Sequence, residues 1–484
     1  MGVHVILHYF VFLLSLFHVN RIEIERQTLL GRLTPVLPFR AMKKEPTLRV
    51  GILQGYREVA GRLNGSFLIN DSRSLSGRFS ARVREGRILL ADAAGQEIIH
   101  EKEVRCTPLD NSTFTLLDVT IGIHFHWERK QEQTFRGELW LIVDENNTLT
   151  AVNSIPLEDY LSSVVSSEMN AEGSLEFLKA HAIASRSWLI SMLEVAGKGK
   201  LGENASPGPP LQTKEFIRYY HRVDHTLFDV CADDHCQRYQ GITRLISENA
   251  RQAVEMTRGM FLVYNNDICD ARYHKACGGL TDNFANTWEN VTVPYLTSVS
   301  DSAVPYDPIH TEDEAREWIL GDPEAYCNTK DSNALRRILP SFDQETTDFF
   351  RWKVTYTRVE LEEIIRDKSR IDFGNLLRLT PIERGPSGRI VRLQIAGSKR
   401  ILTIGRELEI RRWLSRSHLY SSAFVVSVEN DAAGLPVSFV LHGAGWGHGV
   451  GLCQIGAAVM ALKGFTAESI LKHYFRGAEL QKLY

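Results

Sequence analysis

The sequence has little cysteine: seven residues spread unevenly over 484 positions. That is too few for a disulfide-stapled scaffold, so folding has to rest on buried apolar side chains. An odd number also leaves at least one thiol free or bound to a metal. The chain lacks a long basic run. With 56 Lys and Arg against 59 Asp and Glu its formal net charge is -3, which places nucleic acid outside the expected partners and suits a neutral polymer such as a glycan equally well as a small molecule. It also lacks a comfortable membrane span. The apolar run VILHYFVFLLSLF (residues 5–17) has the length of a signal-peptide core, but MGVH before it carries no Lys or Arg, and His8 interrupts it. Met42, followed by KKEPTLRVGILQG, reads as an alternative start. Residues 1–46 are therefore expected to be a weak export or anchor signal, or a misassigned leader.

What is present reads as a mixed α+β protein of several parts. Its 43% apolar and 24% charged residues are ordinary for a folded chain and leave no room for large-scale disorder. Residues 47–150 alternate short apolar runs (LRVGIL, SFLIN, RILLA, GELWLIV) with Gly-, Asn- and Asp-containing turns, the pattern of a mostly antiparallel β domain. At Pro156 the texture changes. PLEDYLSSVVSSEMN predicts a helix with Pro in its first turn, and SLEFLKAHAIASRSWLISMLEVAG predicts a long second helix, with Leu175, Leu178, Ala182, Leu189, Met192 and Ala196 at helical spacing. A Gly/Pro loop covers residues 197–213. RLISENARQAVEMTRG predicts a helix closed by Gly259. MFLVYNNDICDARYHKACGG predicts a hairpin turning at Asn265, Asn266 and Asp267. Residues 301–435 read as an insertion or subdomain containing helices such as ELEEIIRDKSR and strands such as RIVRLQIAG. Residues 436–484 run from a strand through a glycine-dense loop into a helix, with a final helix at TAESILKHYF.

Four strings carry possible chemistry. In SSEMN, Glu168 falls at the C-terminal end of the first helix, where the negative end of the helix dipole favours a protonated carboxyl and hence a general acid; a solvated helix-end glutamate is the ordinary alternative. Arg186 sits among apolar residues of the long helix and is expected to pair with a carboxylate or to snorkel to the surface. In GWGHGVGLCQIGA (residues 445–457) the alternating glycines allow positive φ and close approach of another backbone or a ligand, and His448 is held between them. The string has neither the G-x-G-x-x-G dinucleotide pattern nor the GK[ST] ending of a phosphate loop. Finally, CADDHC (residues 231–236) with His225 supplies His225, Cys231, His235 and Cys236. These suit either one tetrahedral zinc site or a Cys231–Cys236 disulfide. The absence of HExxH, and the closed set of four ligands, favour a structural over a hydrolytic zinc.

Taken in order, IPLEDYLSSVVSSEM, LEFLKAHAIASRSW, VCADDHCQRYQG, ARYHKACGGLT, GWGHGVGLCQIGA and ILKHYFRGAEL resemble the SpoIID/LytB family, the stage II sporulation protein D and amidase-enhancer group. The resemblance covers roughly residues 150–300 and 436–484, so those two stretches are expected to form a SpoIID-like core of a helix pair and β-hairpins. It implies action on peptidoglycan, either as a lytic transglycosylase cutting peptide-stripped glycan strands or as a non-catalytic enhancer of a cell-wall amidase. The family's catalytic glutamate in S-E-M-P falls on Glu168, with Asn170 in place of Pro. The arginine of A-A-R-[ST]-Y falls on Arg186, with Trp188 in the aromatic position. The resemblance also implies a zinc ion on His225, Cys231, His235 and Cys236. In the C-terminal loop, Cys453 and Ile455 replace the usual Ser and Trp of G-H-G-V-G-M-S-Q-W-G. Glu168 is accordingly the expected acid/base, and Arg186, Trp188, Tyr273, Trp446 and His448 are the expected substrate contacts. The expected partners are peptidoglycan glycan strands and a cell-wall amidase, and the expected location is the cell envelope, periplasmic or membrane-associated after export.

Overall fold

The structure, a computed structural model, describes residues 44–484 except 101, 124–127, 171, 198–212, 220–224, 234, 244–246, 340–343, 345 and 347. Residues 1–43 of the expected leader, Met42 among them, and most of the Gly/Pro loop fall outside the described residues. The described residues form one compact unit.

Ten strands account for the N-terminal third: β1 (Thr47–Tyr56), β2 (Glu58–Ile69), β3 (Arg73–Arg84), β4 (Arg87–Ala91), β5 (Glu97–His100), β6 (Glu103–Pro108), β7 (Thr113–Ile121), β8 (Arg129–Phe135), β9 (Glu138–Val143) and β10 (Leu149–Pro156). They alternate inward apolar and outward polar positions, as in ELWLIV of β9, and form one sheet in the order β1-β10-β9-β6-β2-β3-β4-β5, with β7 joining β2 to β8. Neighbours within this set run antiparallel, but the edge of the sheet does not. The short strand Val230–Cys231 adds to β1 in parallel, pairing Val50 with Val230 and Gly51 with Cys231. Distant chain is thereby stitched to the first strand, and Cys231 is fixed to the sheet. Gly51 is required there, because a Cβ would stand 2.5 Å from the Phe228 ring.

β10 is buried on both faces and feeds directly into helix α1 (Leu157–Glu168). Pro156, which cannot donate to the ladder, ends the strand and precedes the first helical residue. The long helix α2 (Leu175–Gly197) follows and packs against α1 and α3 (Glu248–Met256). α3 starts at Glu248 because the Ser247 side chain accepts the Ala250 N–H (3.1 Å) and caps it. The predicted hairpin is present as Met260–Tyr264 and Asp267–Ile268, with Asn265 and Asn266 both at positive φ (50° and 66°) as a two-residue type I′ turn requires. Glu479–Lys482 pairs with its other edge.

The stretch between the hairpin and the glycine-dense loop builds a body with its own core, in which Trp352, Leu361, Ile364, Trp413, Phe424 and Phe439 are all at most 4% exposed. Two sheets flank that core. One runs Glu215–Ile217, Ile401–Gly405, Ile390–Gly397, Leu376–Arg384, and the other Arg351–Thr357, Pro436–Ala444, Phe424–Asn430. The helix Arg358–Ser369 lies where ELEEIIRDKSR predicts it, capped by Thr357. Among the described residues no helix is long and apolar enough to cross a membrane.

Candidate active site

Glu168 is the last residue of α1 and is half-buried. Its Oε1 accepts the backbone N–H of Arg238 at 2.9 Å, and its main-chain carbonyl accepts the Lys275 ammonium at 3.2 Å. Oε2 has no hydrogen-bond partner among the described residues. The carboxyl is thus anchored by one oxygen and presents the other.

The loop that supplies Arg238 is fastened at every residue. The Gln237 side chain accepts from the Tyr160 hydroxyl (3.2 Å) and donates to the Ser185 carbonyl (3.2 Å). The Tyr239 hydroxyl donates to Asn153 Oδ1 on β10 (2.6 Å), and its ring stacks on Tyr160 with centroids 5.0 Å apart. The Gln240 N–H bonds Ser163 Oγ on α1 (3.1 Å). Burial, together with the negative field of Cys236, Tyr273, Cys231 and Glu168, holds the Tyr160 phenol well above its ordinary pKa, so it stays a neutral donor.

Directly before this loop stands the Cys/His group. The ligand atoms of His225, Cys231, His235 and Cys236 all lie within 4.8 Å of one another. Cys236 Sγ is 3.4 Å from His225 Nε2 and 3.5 Å from His235 Nδ1, and Cys231 Sγ is 3.9 Å from His235 Nδ1. With Zn–S of about 2.3 Å and Zn–N of about 2.0–2.1 Å, the S···N edge of a tetrahedral site is about 3.6 Å, so the donor set fits zinc. Both cysteines are free thiols, so the disulfide alternative is not realised. Hydrogen bonding to Cys236, ahead of His225 and His235, holds the Cys231 thiol far below its usual range despite burial.

Lys275 belongs to the segment that the glycine-dense loop covers. Tyr273–His274 pairs in parallel with Leu452–Cys453, and Ala276 exchanges both backbone hydrogen bonds with Trp446 (3.0 and 2.7 Å). The spacing of glycines follows from this contact. Gly445 and Gly449 have φ of 74° and 79°, and a Cβ would strike the Cys277 backbone at 2.7 Å from the first and the Arg389 guanidinium at 2.3 Å from the second. His448 keeps part of its surface in solvent. Its ring packs against Trp288 (5.3 Å) and His274 (5.5 Å), and its Nδ1 accepts the Val450 N–H (3.1 Å). Burial, reinforced by His274, Arg272, Arg411 and Arg389, keeps this imidazole neutral. Trp446 is half-buried beside Tyr420 (4.2 Å) and Phe349 (4.8 Å). Tyr273 is half-buried with its ring 4.8 Å from His181. Trp188 is half-buried on α2, and no ring contact or hydrogen bond among the described residues ties it to Glu168.

Arg186 stands in the interior. It is 0% exposed, and Nε and Nη2 bind the two oxygens of Glu158 at 3.0 and 2.6 Å while Nη1 donates to the Met260 carbonyl at 3.1 Å. Glu158 also accepts from the Gly259 N–H and the Tyr484 hydroxyl. Arg186, expected among the substrate contacts, is engaged inside the protein in this structure. It is the cation of a buried cluster joining α1, α2, the hairpin and the C-terminal residue, and the expected pairing with a carboxylate holds. The sequence reading passed over Glu158, Arg238 and Lys275. Of these, Arg238 had a signal, since QRYQG directly follows the last zinc-type ligand.

Two cavities stand out among the described residues. One of about 370 Å³ lies just past the end of α1, walled by Glu172, Gly173, Leu175, Phe177, Arg337 and Leu462 among others, and the other is far off in the inserted body. Glu168 lines neither of them.

Residues 145–264 match the family model for stage II sporulation protein (SpoIID), and residues 282–451 match a domain of unknown function, DUF8618. The chain is 26% identical over 331 residues to the amidase enhancer of Bacillus subtilis (strain 168), covering 66% of this chain and 40% of that protein. It is 25% identical over 339 residues to stage II sporulation protein D of the same organism, covering 69% and 76%. An uncharacterized protein of Brachyspira hyodysenteriae is 27% identical over 341 residues, 70% of each chain. The chain thus carries a SpoIID-type domain and is similar to SpoIID and amidase-enhancer proteins over about two thirds of its length. Glu168, the Cys/His group and the loop of Gln237–Gln240 all lie inside the SpoIID match, whereas the body with the separate core is largely the DUF8618 match. The chain spans about 40% of the length of the amidase enhancer, so that relative has much that is not represented here.

Proposed function

We propose that the protein is a peptidoglycan lytic transglycosylase that cuts peptide-stripped glycan strands with Glu168 as its single acid/base, at the cell envelope. The observation that carries this reading is the half-buried Glu168 carboxyl, anchored through Oε1 by the Arg238 N–H, with no hydrogen bond to Oε2 among the described residues. In the first half-reaction Oε2–H gives its proton to the glycosidic oxygen as the bond from the anomeric carbon breaks. In the second, the carboxylate takes the proton of the sugar's own C6 hydroxyl as that oxygen bonds the anomeric carbon. The proton returns to Glu168, no water is consumed, and the products are a 1,6-anhydro end and a free hydroxyl end. One carboxyl suffices for this sequence, whereas ordinary glycoside hydrolysis uses two.

Around it, Lys275 places a cation beside the residue that becomes negative after proton transfer, and Tyr273, Trp446, Trp188 and His448 are the proposed sugar contacts, aromatic faces offering flat apolar surface to pyranose rings. His225, Cys231, His235 and Cys236 would hold zinc. With four protein ligands the ion is closed to substrate and supplies rigidity to the segment that delivers the Arg238 N–H.

A second reading is favoured by the similarity to an amidase enhancer: a glycan-binding protein without turnover that stimulates a cell-wall amidase. Incubation of the purified protein with amidase-treated glycan strands separates the two. Release of anhydro-ended fragments supports the enzyme, and intact strands together with a faster amidase support the enhancer.

A further inference from the structure

Four buried side chains outside the proposed active site converge: Cys277, Asp301, Cys327 and Cys453. Their exposures are 2%, 0%, 3% and 0%, and their ligand atoms all lie within 4.8 Å of one another. We propose that they form a second, mononuclear zinc site of three thiolates and one carboxylate, which clamps the neck of the inserted body. The proposal stands whether or not the chain cuts glycan.

The geometry is that of ligands converging on one ion. Cys277 Sγ is 3.5 Å from Cys327 Sγ, against an S···S edge of about 3.8 Å for tetrahedral zinc with Zn–S of about 2.3 Å. Four donors this close fit a single ion and are too tight to surround a multi-iron cluster. Three soft thiolates with one hard oxygen suit zinc better than calcium or magnesium, which take oxygen ligands throughout.

The surroundings are built to stabilise negative charge on these atoms. The Cys277 N–H points at Cys453 Sγ (3.3 Å) and the Gly279 N–H at Cys277 Sγ (3.3 Å). Asp301 acts as an acceptor on both oxygens, from the Cys327 N–H (2.8 Å) and from the Tyr474 hydroxyl. Among the described residues no Lys, Arg or His pairs with Asp301, so a fully buried carboxylate aimed at three thiols lacks a cation. Burying such a group unpaired is costly, and a divalent ion supplies the missing charge. The space is also kept clear: a Cβ on Gly456 would stand 2.1 Å from Asp301 Oδ1.

The position of the four ligands gives the site its role. Cys277 precedes the DUF8618 match and Cys453 follows it, 176 residues apart in sequence, while Asp301 and Cys327 lie within it. One ion would tie both crossings of the neck to two points of the inserted body. It would do so beside the proposed active site, because Lys275 is two residues from Cys277 and its carbonyl accepts the Ile455 N–H (3.1 Å).

The test is zinc stoichiometry by mass spectrometry on purified full-length protein. Two ions per chain are expected in the wild type, and one each in Cys231→Ser/Cys236→Ser and in Cys277→Ser/Cys327→Ser. Zinc retained by the first double variant supports the second site whatever the first one binds. Zinc absent from that variant when the wild type holds one ion overturns it, as does an intact mass showing a Cys277–Cys327 disulfide. Should the variants not fold, X-ray absorption at the zinc edge of the wild type decides. Five sulfur ligands shared between two ions with an oxygen contribution support the proposal, and only the two-sulfur, two-nitrogen shell of the first site contradicts it.

Discussion

Replacing Arg186 by Met separates a substrate contact from a structural one. The guanidinium is 0% exposed and its partner Glu158 has 7% of its side chain exposed, so the variant removes three charge-assisted hydrogen bonds, two to Glu158 and one to the Met260 carbonyl, and leaves a carboxylate in the interior. Such bonds contribute about 1.5–3 kcal/mol each, but their loss is partly offset by the apolar methionine and by the Gly259 and Tyr484 donors that remain on Glu158. Breaking one side of a buried pair costs about 3–5 kcal/mol, and the structure places this variant in that range. Adding Glu158→Leu removes the stranded charge and should recover a large part of the loss, since apolar replacements of whole buried pairs are often tolerated. Urea unfolding followed by circular dichroism measures both, with glycan pull-down as the second readout. An Arg186→Met protein that is within about 1 kcal/mol of wild type yet has lost glycan binding would refute the structural assignment.

Three further outcomes are expected. Chelation of the Cys/His site should free the loop of residues 237–240, read as faster amide exchange at Gln237–Gln240; unchanged exchange there would show that the metal does not hold the loop. Asn170→Pro should weaken the junction with the inserted body. Asn170 donates its N–H to the Ile338 carbonyl and its amide to the Arg336 carbonyl (both 2.9 Å), and losing both at about 1 kcal/mol each should speed exchange across Ser332–Ile338. Burial first, then Lys275, lowers the His181 pKa to about 3, so the folded chain refuses a proton that the unfolded chain takes near 6.5. Stability from this residue is intact above 6.5 and falls by about 1.4 kcal/mol per pH unit as the pH drops from there toward 3. His181→Gln should flatten that part of the urea-midpoint profile, and an unaltered slope would argue against it.

Much of the secondary structure was legible because it is local. The 3.6-residue recurrence from Leu175 to Ala196 is α2, the paired asparagines 265 and 266 are a tight turn, and the alternating runs before Pro156 are the antiparallel strands. The compact His225–Cys236 cluster was legible for the same reason, since its ligands come from one short segment. What escaped depends on distant chain meeting in space. The parallel pairing of β1 with Val230–Cys231 joins segments 180 residues apart. The acidic partner of Arg186 stands in the preceding helix with nothing in its spacing to mark it. Cys277, Cys327 and Cys453 looked scattered because the fold, not the sequence, makes them neighbours. Asn170 read only as a departure from a pattern, yet its N–H, which a proline would lack, anchors the helix Ser332–Ile338 of the inserted body.

Digestion of peptide-free glycan strands by the purified protein in ¹⁸O-labelled water, with the products read by mass spectrometry, tests the proposed chemistry of Glu168 most directly. That chemistry predicts 1,6-anhydro ends carrying no solvent oxygen, lost in a folded Glu168→Gln variant. Reducing ends labelled with ¹⁸O, or equal cleavage by Glu168→Gln, would contradict it.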